Sequence, residues 1–116
     1  MPFGLAPFDT RALAEYQRCL ALPGAAHALC EDYRAAASID LDHDRSDRAQ
    51  GQQLRTPLLV LWGAQGVVQR CFDPLALWQR IATNVQGQAL PCGHYIPEEA
   101  PEPLLAKAIP FLLQGA

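Results

Sequence analysis

The segment Thr56-Pro-Leu-Leu-Val-Leu-Trp-Gly63 decides the fold of this sequence. Residues 57–62 are all apolar, without the alternation of apolar and polar residues that a half-solvated strand shows. A short apolar run that ends at a glycine is typical of a strand buried on both faces, as in a parallel α/β sheet. We therefore predict a buried strand here.

The sequence that follows this strand predicts a β-α-β unit. Asp73 and Pro74 supply an N-cap and a proline at the first helical position. Residues 84–87 are predicted as a turn and residues 88–92 as a short second strand, which lies at an edge or ends near Pro91 because proline donates no hydrogen bond. A right-handed crossover makes the two strands parallel. The predicted buried face of the intervening helix comprises Leu77, Trp78 and Ile81.

A final helix is predicted from about Pro101. Pro110 lies inside its apolar stripe and should kink or shorten it. A two-stranded parallel sheet does not stand alone, because both faces and the free strand edge need cover. The predicted stripe comprises Leu104, Leu105, Ala108, Ile109 and Leu112.

The first half of the chain is predicted to be helical. Asp9 or Thr10 is suited to cap a first helix, which ends before Pro23-Gly24. A second helix is predicted at about residues 25–37. Residues 38–53 alternate aspartate with arginine and predict a short, solvated helix.

Composition and charge exclude several classes of partner. The 116 residues carry a net charge of −3 and offer no basic stripe, so we expect no nucleic-acid partner. The apolar run of residues 57–62 is far too short to span a bilayer, so no membrane partner is expected. The first seven residues have neither the basic nor the apolar region of a signal peptide, and a cytoplasmic location is expected.

The cysteines and histidines do not form a metal-binding pattern. The cysteines are widely separated and form no C-x-x-C pair, and the histidines complete no zinc-ligand spacing. We therefore predict neither a metal nor another cofactor, and we interpret the thiols as small core residues. The residues concerned are Cys19, Cys30, Cys71, Cys92, His27, His43 and His94.

His94 is the sharpest catalytic candidate. It follows a glycine just beyond the second predicted strand, where α/β folds place functional side chains. In the α/β-hydrolase plan, the triad histidine likewise comes last in the chain, after the final strand. No serine nucleophile accompanies it, because neither Ser38 nor Ser46 lies in G-x-S-x-G. Asp44 is interpreted as a surface residue, since no strand precedes it and no glycine closely flanks it.

Tyr33 has two interpretations that spacing alone leaves open. A tyrosine on a helical face usually packs in a core. Alternatively, its hydroxyl is a donor that stabilises a leaving anion in a pocket.

Five motifs occur in series and together resemble the C-terminal half of the fluoroacetate (haloacetate) dehalogenases, which are α/β-hydrolases with a helical cap. The resemblance runs from about Asp9 to Leu113. It implies a partial α/β-hydrolase fold, in which residues 1–53 are the end of the cap with its return helix and residues 54–116 are the C-terminal βαβα part of the core. The motifs are Cys30-Glu-Asp-Tyr-Arg-Ala35, Ile39-Asp-Leu-Asp-His-Asp44, Pro57-Leu-Leu-Val-Leu-Trp-Gly63, Asp73-Pro-Leu-Ala-Leu-Trp78 and Gly93-His-Tyr-Ile-Pro-Glu-Glu-Ala-Pro101.

The resemblance also implies a mechanism and a small haloacid substrate. An aspartate attacks the carbon that carries the halogen, and the resulting ester is hydrolysed by water that the histidine matching His94 activates. The cap tyrosine matching Tyr33 donates a hydrogen bond to the departing halide.

Other parts of the family's site have no match in these residues. They are the nucleophilic aspartate, the arginines that hold the substrate, the acid partner of the histidine and the cap His-Trp halide donors. Many relatives carry the acid in W-G-x-x-D, and Gly66 stands at that position here. We therefore expect the 116 residues alone to be inactive.

Two alternatives remain open. One is the C-terminal part of an epoxide hydrolase-type enzyme, which shares the aspartyl-ester chemistry and uses a cap tyrosine to protonate the opening epoxide. The other is a non-catalytic truncated domain or a partner-dependent subunit. In the second case, a homo-oligomer would form through the uncovered strand edge at Leu58 to Trp62.

Overall fold

The computed structural model describes residues 4–114, which divide into two compact units, one ending at Gln52 and one beginning at Gln53. The first unit contains α1 (Thr10–Leu20), α2 (Ala25–Ala36) and α3 (Ile39–Ala49). The second contains β1 (Leu58–Gly63), α4 (Val67–Cys71), α5 (Pro74–Gln79), β2 (Val85–Leu90), α6 (Ile96–Glu99) and α7 (Pro101–Leu113).

The three helices predicted in the first unit are confirmed. The Asp9 side chain caps α1 by accepting hydrogen bonds from the backbone N–H groups of Arg11 and Ala12, at 2.9 and 3.3 Å. Between residues 4 and 52 no side chain is buried, and apolar side chains such as Leu20 and Leu29 are about half exposed. Residues 4–52 thus do not cover the apolar faces of their own three helices.

The second unit is built on a parallel pair of strands, as predicted. β1 and β2 are in register from Leu58 opposite Val85 to Gly63 opposite Leu90. The core cluster lies at the carboxyl end of β2: Leu90, the last residue of the strand, packs with Cys92 and Ala100, and each is at most 5% exposed.

The predicted bounds of the second strand were wrong. The strand begins at Val85 rather than at residue 88, so Gly87 lies within it and not in a turn. Gly87 faces Val60 so closely that a Cβ at residue 87 would stand 2.1 Å from the Val60 carbonyl oxygen. Glycine is therefore needed at residue 87 because the two strands approach each other closely there. This requirement comes from the neighbouring strand and not from the local sequence.

One prediction for the helices of this unit was wrong, and a second was wrong in part. Leu77 and Trp78 were expected to be buried, yet they are 42% and 39% exposed, because residues 53–114 of the same unit do not cover that face of α5. The final helix was expected to be kinked or shortened at Pro110; it is not shortened there, because it continues to Leu113. The Pro110 carbonyl still accepts a hydrogen bond from the Gln114 N–H at 3.1 Å, so the last turn stays closed.

β1 itself is less buried than predicted. Residues 58–62 are only half-buried, and Gly63 alone of this strand is buried. Among residues 4–114, β1 pairs with no strand other than β2, so one of its edges is unpaired. No helix in the described part of the chain has the length and apolar character needed to cross a bilayer.

Candidate active site

The candidate site lies at the carboxyl ends of the two strands. His94 follows β2 by four residues and is exposed, while its neighbour Gly93 is buried. Gly93 packs against the last residue of β1: a Cβ at Gly63 would stand 1.7 Å from the Gly93 carbonyl oxygen. Residues 91–95, between β2 and α6, carry His94 and are called the histidine loop below. Only glycine at residue 63 lets this loop come so close to β1.

Backbone hydrogen bonds hold the loop after β1 to the loop after β2. The Ala64 N–H donates to the Leu90 carbonyl at 2.8 Å, and the Gln65 N–H donates to the Cys92 carbonyl at 2.9 Å. The position of His94 is therefore tied to both strand ends.

Glu99 closes the histidine loop from the other side. Its carboxylate accepts hydrogen bonds from the backbone N–H groups of Gly93 and Tyr95, at 2.6 and 2.9 Å. These two residues flank His94. Glu99 was not predicted as a site residue. Its signal in the sequence is the G-H-x-x-x-x-E spacing, in which a glutamate one helical turn after the loop is able to reach back to it.

The His94 ring contacts Tyr95 edge-on, with the ring centroids 5.2 Å apart and the planes at 79°. Among residues 4–114, no carboxylate is hydrogen bonded to this imidazole. The ring also lines a cavity of about 230 Å³. Apolar side chains dominate the cavity wall, which includes Val60, Trp62, Trp78 and Ile96.

The turn between β1 and α4 contains no nucleophile. Ala64, Gln65 and Gly66 make up this strand-to-helix turn, and Gly66 lines the same cavity as His94. Asp44 lies on α3, exposed and without a preceding strand, in agreement with its interpretation as a surface residue. Within residues 4–114, no three histidine, cysteine or acidic side chains come together as metal ligands.

The thiols do not all pack as predicted. Cys19, Cys30 and Cys71 are exposed, so their interpretation as core residues was wrong, while Cys92 is buried. Burial raises the pKa of the Cys92 thiol, and the nearby Glu99 carboxylate adds to the rise. A buried thiol held in its protonated form is a poor nucleophile, so we assign Cys92 no role in the chemistry.

Tyr33 lies on α2 in the first unit and is 77% exposed. Of its two interpretations, packing into a core of the first unit, as far as the structure describes that unit, is thus excluded. The structure gives its hydroxyl no hydrogen-bond partner within residues 4–114, and its role as a donor stays a prediction.

Comparison with known proteins supports the fold. No protein-family model matches the chain. A fluoroacetate dehalogenase from Burkholderia sp. is 34% identical over 95 residues, which are 82% of this chain and 31% of the relative. A soluble epoxide hydrolase from Corynebacterium sp. (strain C12) is 31% identical over 105 residues, which are 90% of this chain and 34% of the relative.

A solved structure from Nostoc sp. PCC 7120, assigned as an alpha/beta hydrolase, is 51% identical. It superposes with a TM-score of 0.85 over 92% of this chain and 36% of its own. The chain therefore spans about a third of the length of the relatives it matches. It has the partial α/β-hydrolase fold predicted from the sequence, and its resemblance to fluoroacetate dehalogenase is confirmed.

Proposed function

We propose that these residues are the C-terminal part of a hydrolase that cleaves the carbon–halogen bond of haloacetates, with His94 as its general base. The observation that carries the proposal is the placement of His94: exposed, just beyond β2, and on a cavity wall. The similarity to the Burkholderia fluoroacetate dehalogenase covers 82% of this chain and favours a haloacetate as substrate.

The proposed reaction has two steps. An aspartate from outside these 116 residues attacks the carbon that bears the halogen; the new carbon–oxygen bond forms as the carbon–halogen bond breaks, and its electron pair leaves with the halide. The neutral His94 imidazole then takes a proton from water as the water oxygen attacks the ester carbonyl. As the ester carbon–oxygen bond breaks, the imidazolium returns its proton to the departing oxygen, so the product leaves as the hydroxy acid. The carboxyl group then loses its proton to solvent, and the aspartate is regenerated.

Tyr33 is proposed to donate its hydroxyl hydrogen to the departing halide. Fluoride is a poor leaving group, so a donor whose hydrogen bond strengthens as charge develops lowers the barrier. The 77% exposure of Tyr33 and the lack of a hydroxyl partner in the described residues are compatible with this role.

The test uses the longest reading frame that contains these residues, expressed and supplied with fluoroacetate. We expect continuous fluoride release from the wild type, loss of this turnover in His94→Ala and its retention in His43→Ala, which changes an exposed histidine on α3. A wild-type protein that releases no fluoride, or a His94→Ala variant as active as the wild type, would contradict the proposal. We expect the 116 residues alone to release none.

A second candidate is an epoxide hydrolase-type enzyme with the same aspartyl-ester chemistry. The similarity to the Corynebacterium epoxide hydrolase, over 90% of this chain, favours it. In this case Tyr33 would donate its proton to the oxygen of the opening epoxide. Activity of the full reading frame on a terminal epoxide, without activity on fluoroacetate, would select this candidate.

A third candidate is a non-catalytic, partner-dependent subunit. The unpaired edge of β1 at residues 58–62 presents backbone groups that are able to pair with another strand, and we propose a second copy of the chain as the partner. Light scattering of the purified chain would distinguish a dimer, expected here, from a monomer, which argues against this candidate.

The remaining expectations for the whole protein are also proposals. The net charge of −3 favours the absence of a nucleic-acid partner. We further propose a cytoplasmic location without a membrane partner, which localisation of a fluorescent fusion of the full reading frame would test.

A further inference from the structure

We propose that Glu99 is the positioning residue of His94. Its carboxylate oxygens accept one hydrogen bond from each side of the histidine: Oε2 from the Gly93 N–H at 2.6 Å and Oε1 from the Tyr95 N–H at 2.9 Å. The backbone on both sides of His94 is thereby fixed to a single side chain. The link from this geometry to catalysis rests on the proposed role of His94.

The position of the Glu99 carboxylate is itself set by α6. The Glu99 N–H donates to the Tyr95 carbonyl at 2.8 Å, while the Tyr95 N–H donates to the Glu99 carboxylate. These two reciprocal bonds make residues 95–99 a closed turn. The half-buried Glu99 side chain is thus held in one orientation and is not distributed over many rotamers.

Gly93 leaves the carboxylate the room it needs. A Cβ at residue 93 would stand 2.8 Å from Glu99 Oε2 and 3.0 Å from Oε1. Gly93 is also buried, so no water replaces the carboxylate at its N–H without a rearrangement of the loop. A side chain at residue 93 and the present position of Glu99 are therefore mutually exclusive.

The arrangement requires a carboxylate and not merely a polar side chain. Both N–H groups need an acceptor, and a carboxylate offers two equivalent acceptor oxygens. Glutamine has nearly the same size but only one acceptor oxygen, and its NH₂ group would face the second N–H. Glu99→Gln therefore breaks one of the two bonds with little change in volume.

The first experiment measures the amide protons of Gly93 and Tyr95 by NMR in the 116-residue chain. We expect both to resonate far downfield and to exchange slowly with solvent in the wild type. In Glu99→Gln, at least one should move upfield and exchange about tenfold faster or more, as expected for a lost hydrogen bond to a charged group. The matched control Glu102→Gln changes an exposed glutamate at the start of α7 and should leave both unchanged.

Any of three NMR results would overturn the proposal. The first is random-coil shifts at both amides in the wild type. The second is that Glu99→Gln leaves the Gly93 and Tyr95 amide signals unchanged. The third is that Glu102→Gln moves these signals as far as Glu99→Gln does.

The second experiment measures the kinetics of the full reading frame on fluoroacetate. Because His94 acts only on the ester, Glu99→Gln should lower kcat more than tenfold and lower KM with it, so that kcat/KM changes little. Glu99→Asp should restore part of kcat. If the kcat of Glu99→Gln equals that of the control Glu102→Gln, the positioning role of Glu99 is overturned. If the wild type itself is inactive, the proposed function fails, and the NMR result alone decides whether Glu99 holds the loop.

Discussion

The last residue of β1, Gly63, lies directly against the backbone carbonyl of Gly93, so that a Cβ at residue 63 would stand 1.7 Å from the carbonyl oxygen. This contact sets the distance between the end of β1 and the loop that carries His94. Adding a single methyl group at residue 63 should therefore displace the residues of the candidate site.

Gly63→Ala should destabilise the second unit and displace the histidine loop. Overpacking in a close-packed site costs about 1–3 kcal/mol in the free energy of unfolding, which urea denaturation would measure. Gly66→Ala is the matched control, because a Cβ there would meet its nearest atom at 3.2 Å and should cost less. Equal stability of Gly63→Ala and wild type would show that the close approach is not present in solution.

Leu90→Ala should be among the most destabilising substitutions in the chain. Leu90 is 2% exposed and lies in the core beside Cys92 and Ala100, so truncation leaves a cavity and should cost about 2–5 kcal/mol. Leu112→Ala, at a residue that is 69% exposed, should change the free energy of unfolding by less than about 0.5 kcal/mol. Similar losses at the two positions would contradict the location of the core.

Cys92 should make the stability of the chain fall at alkaline pH. Burial, and then the Glu99 carboxylate, raises the pKa of its thiol above the value in the unfolded chain. The folded state thus binds the thiol proton more tightly than the unfolded chain does. The contribution of this proton to the free energy of unfolding is fully present below the unfolded thiol pKa of about 8.5, and it is lost as the pH rises through the higher pKa of the folded state.

Urea denaturation between neutral and alkaline pH would measure this effect. We expect a smaller alkaline loss of stability in Cys92→Ala than in the wild type. Cys71→Ala, which removes an exposed thiol, should keep the wild-type profile. An unchanged alkaline profile in Cys92→Ala would refute the raised pKa.

Asp73→Ala should loosen the start of α5. The Asp73 side chain accepts a hydrogen bond from the Ala76 N–H at 3.0 Å, and loss of such an N-cap typically costs about 1 kcal/mol. Asp44→Ala, on an exposed face of α3, is the control that removes a carboxylate without removing a cap. Equal free energies of unfolding for the two variants would argue against the cap.

The elements that local chemistry specifies could be predicted from the sequence. The caps at Asp9 and Asp73 and the apolar run that ends at Gly63 each depend on adjacent residues, and the corresponding helices and strand are present. Candidate catalytic residues needed the resemblance to a family as well as their position in the chain.

What could not be predicted depends on residues distant in sequence. Gly87 reads locally as a turn residue, and only the approach of Val60 explains it as a strand residue. The apolar face of α5 indicates a buried surface but not which residues cover it, and Trp78 remains 39% exposed. Glu99 was missed because its function lies in hydrogen bonds to the loop behind it and not in an exposed charge.

The most direct test of the proposed role of His94 is a fluoride measurement on the His94→Ala variant of the full reading frame. A general base that acts only on the ester leaves the first step intact, so the variant should release a single equivalent of fluoride and stall. Mass spectrometry should then detect the ester on the enzyme. Continuous fluoride release by this variant at the wild-type rate would contradict the account.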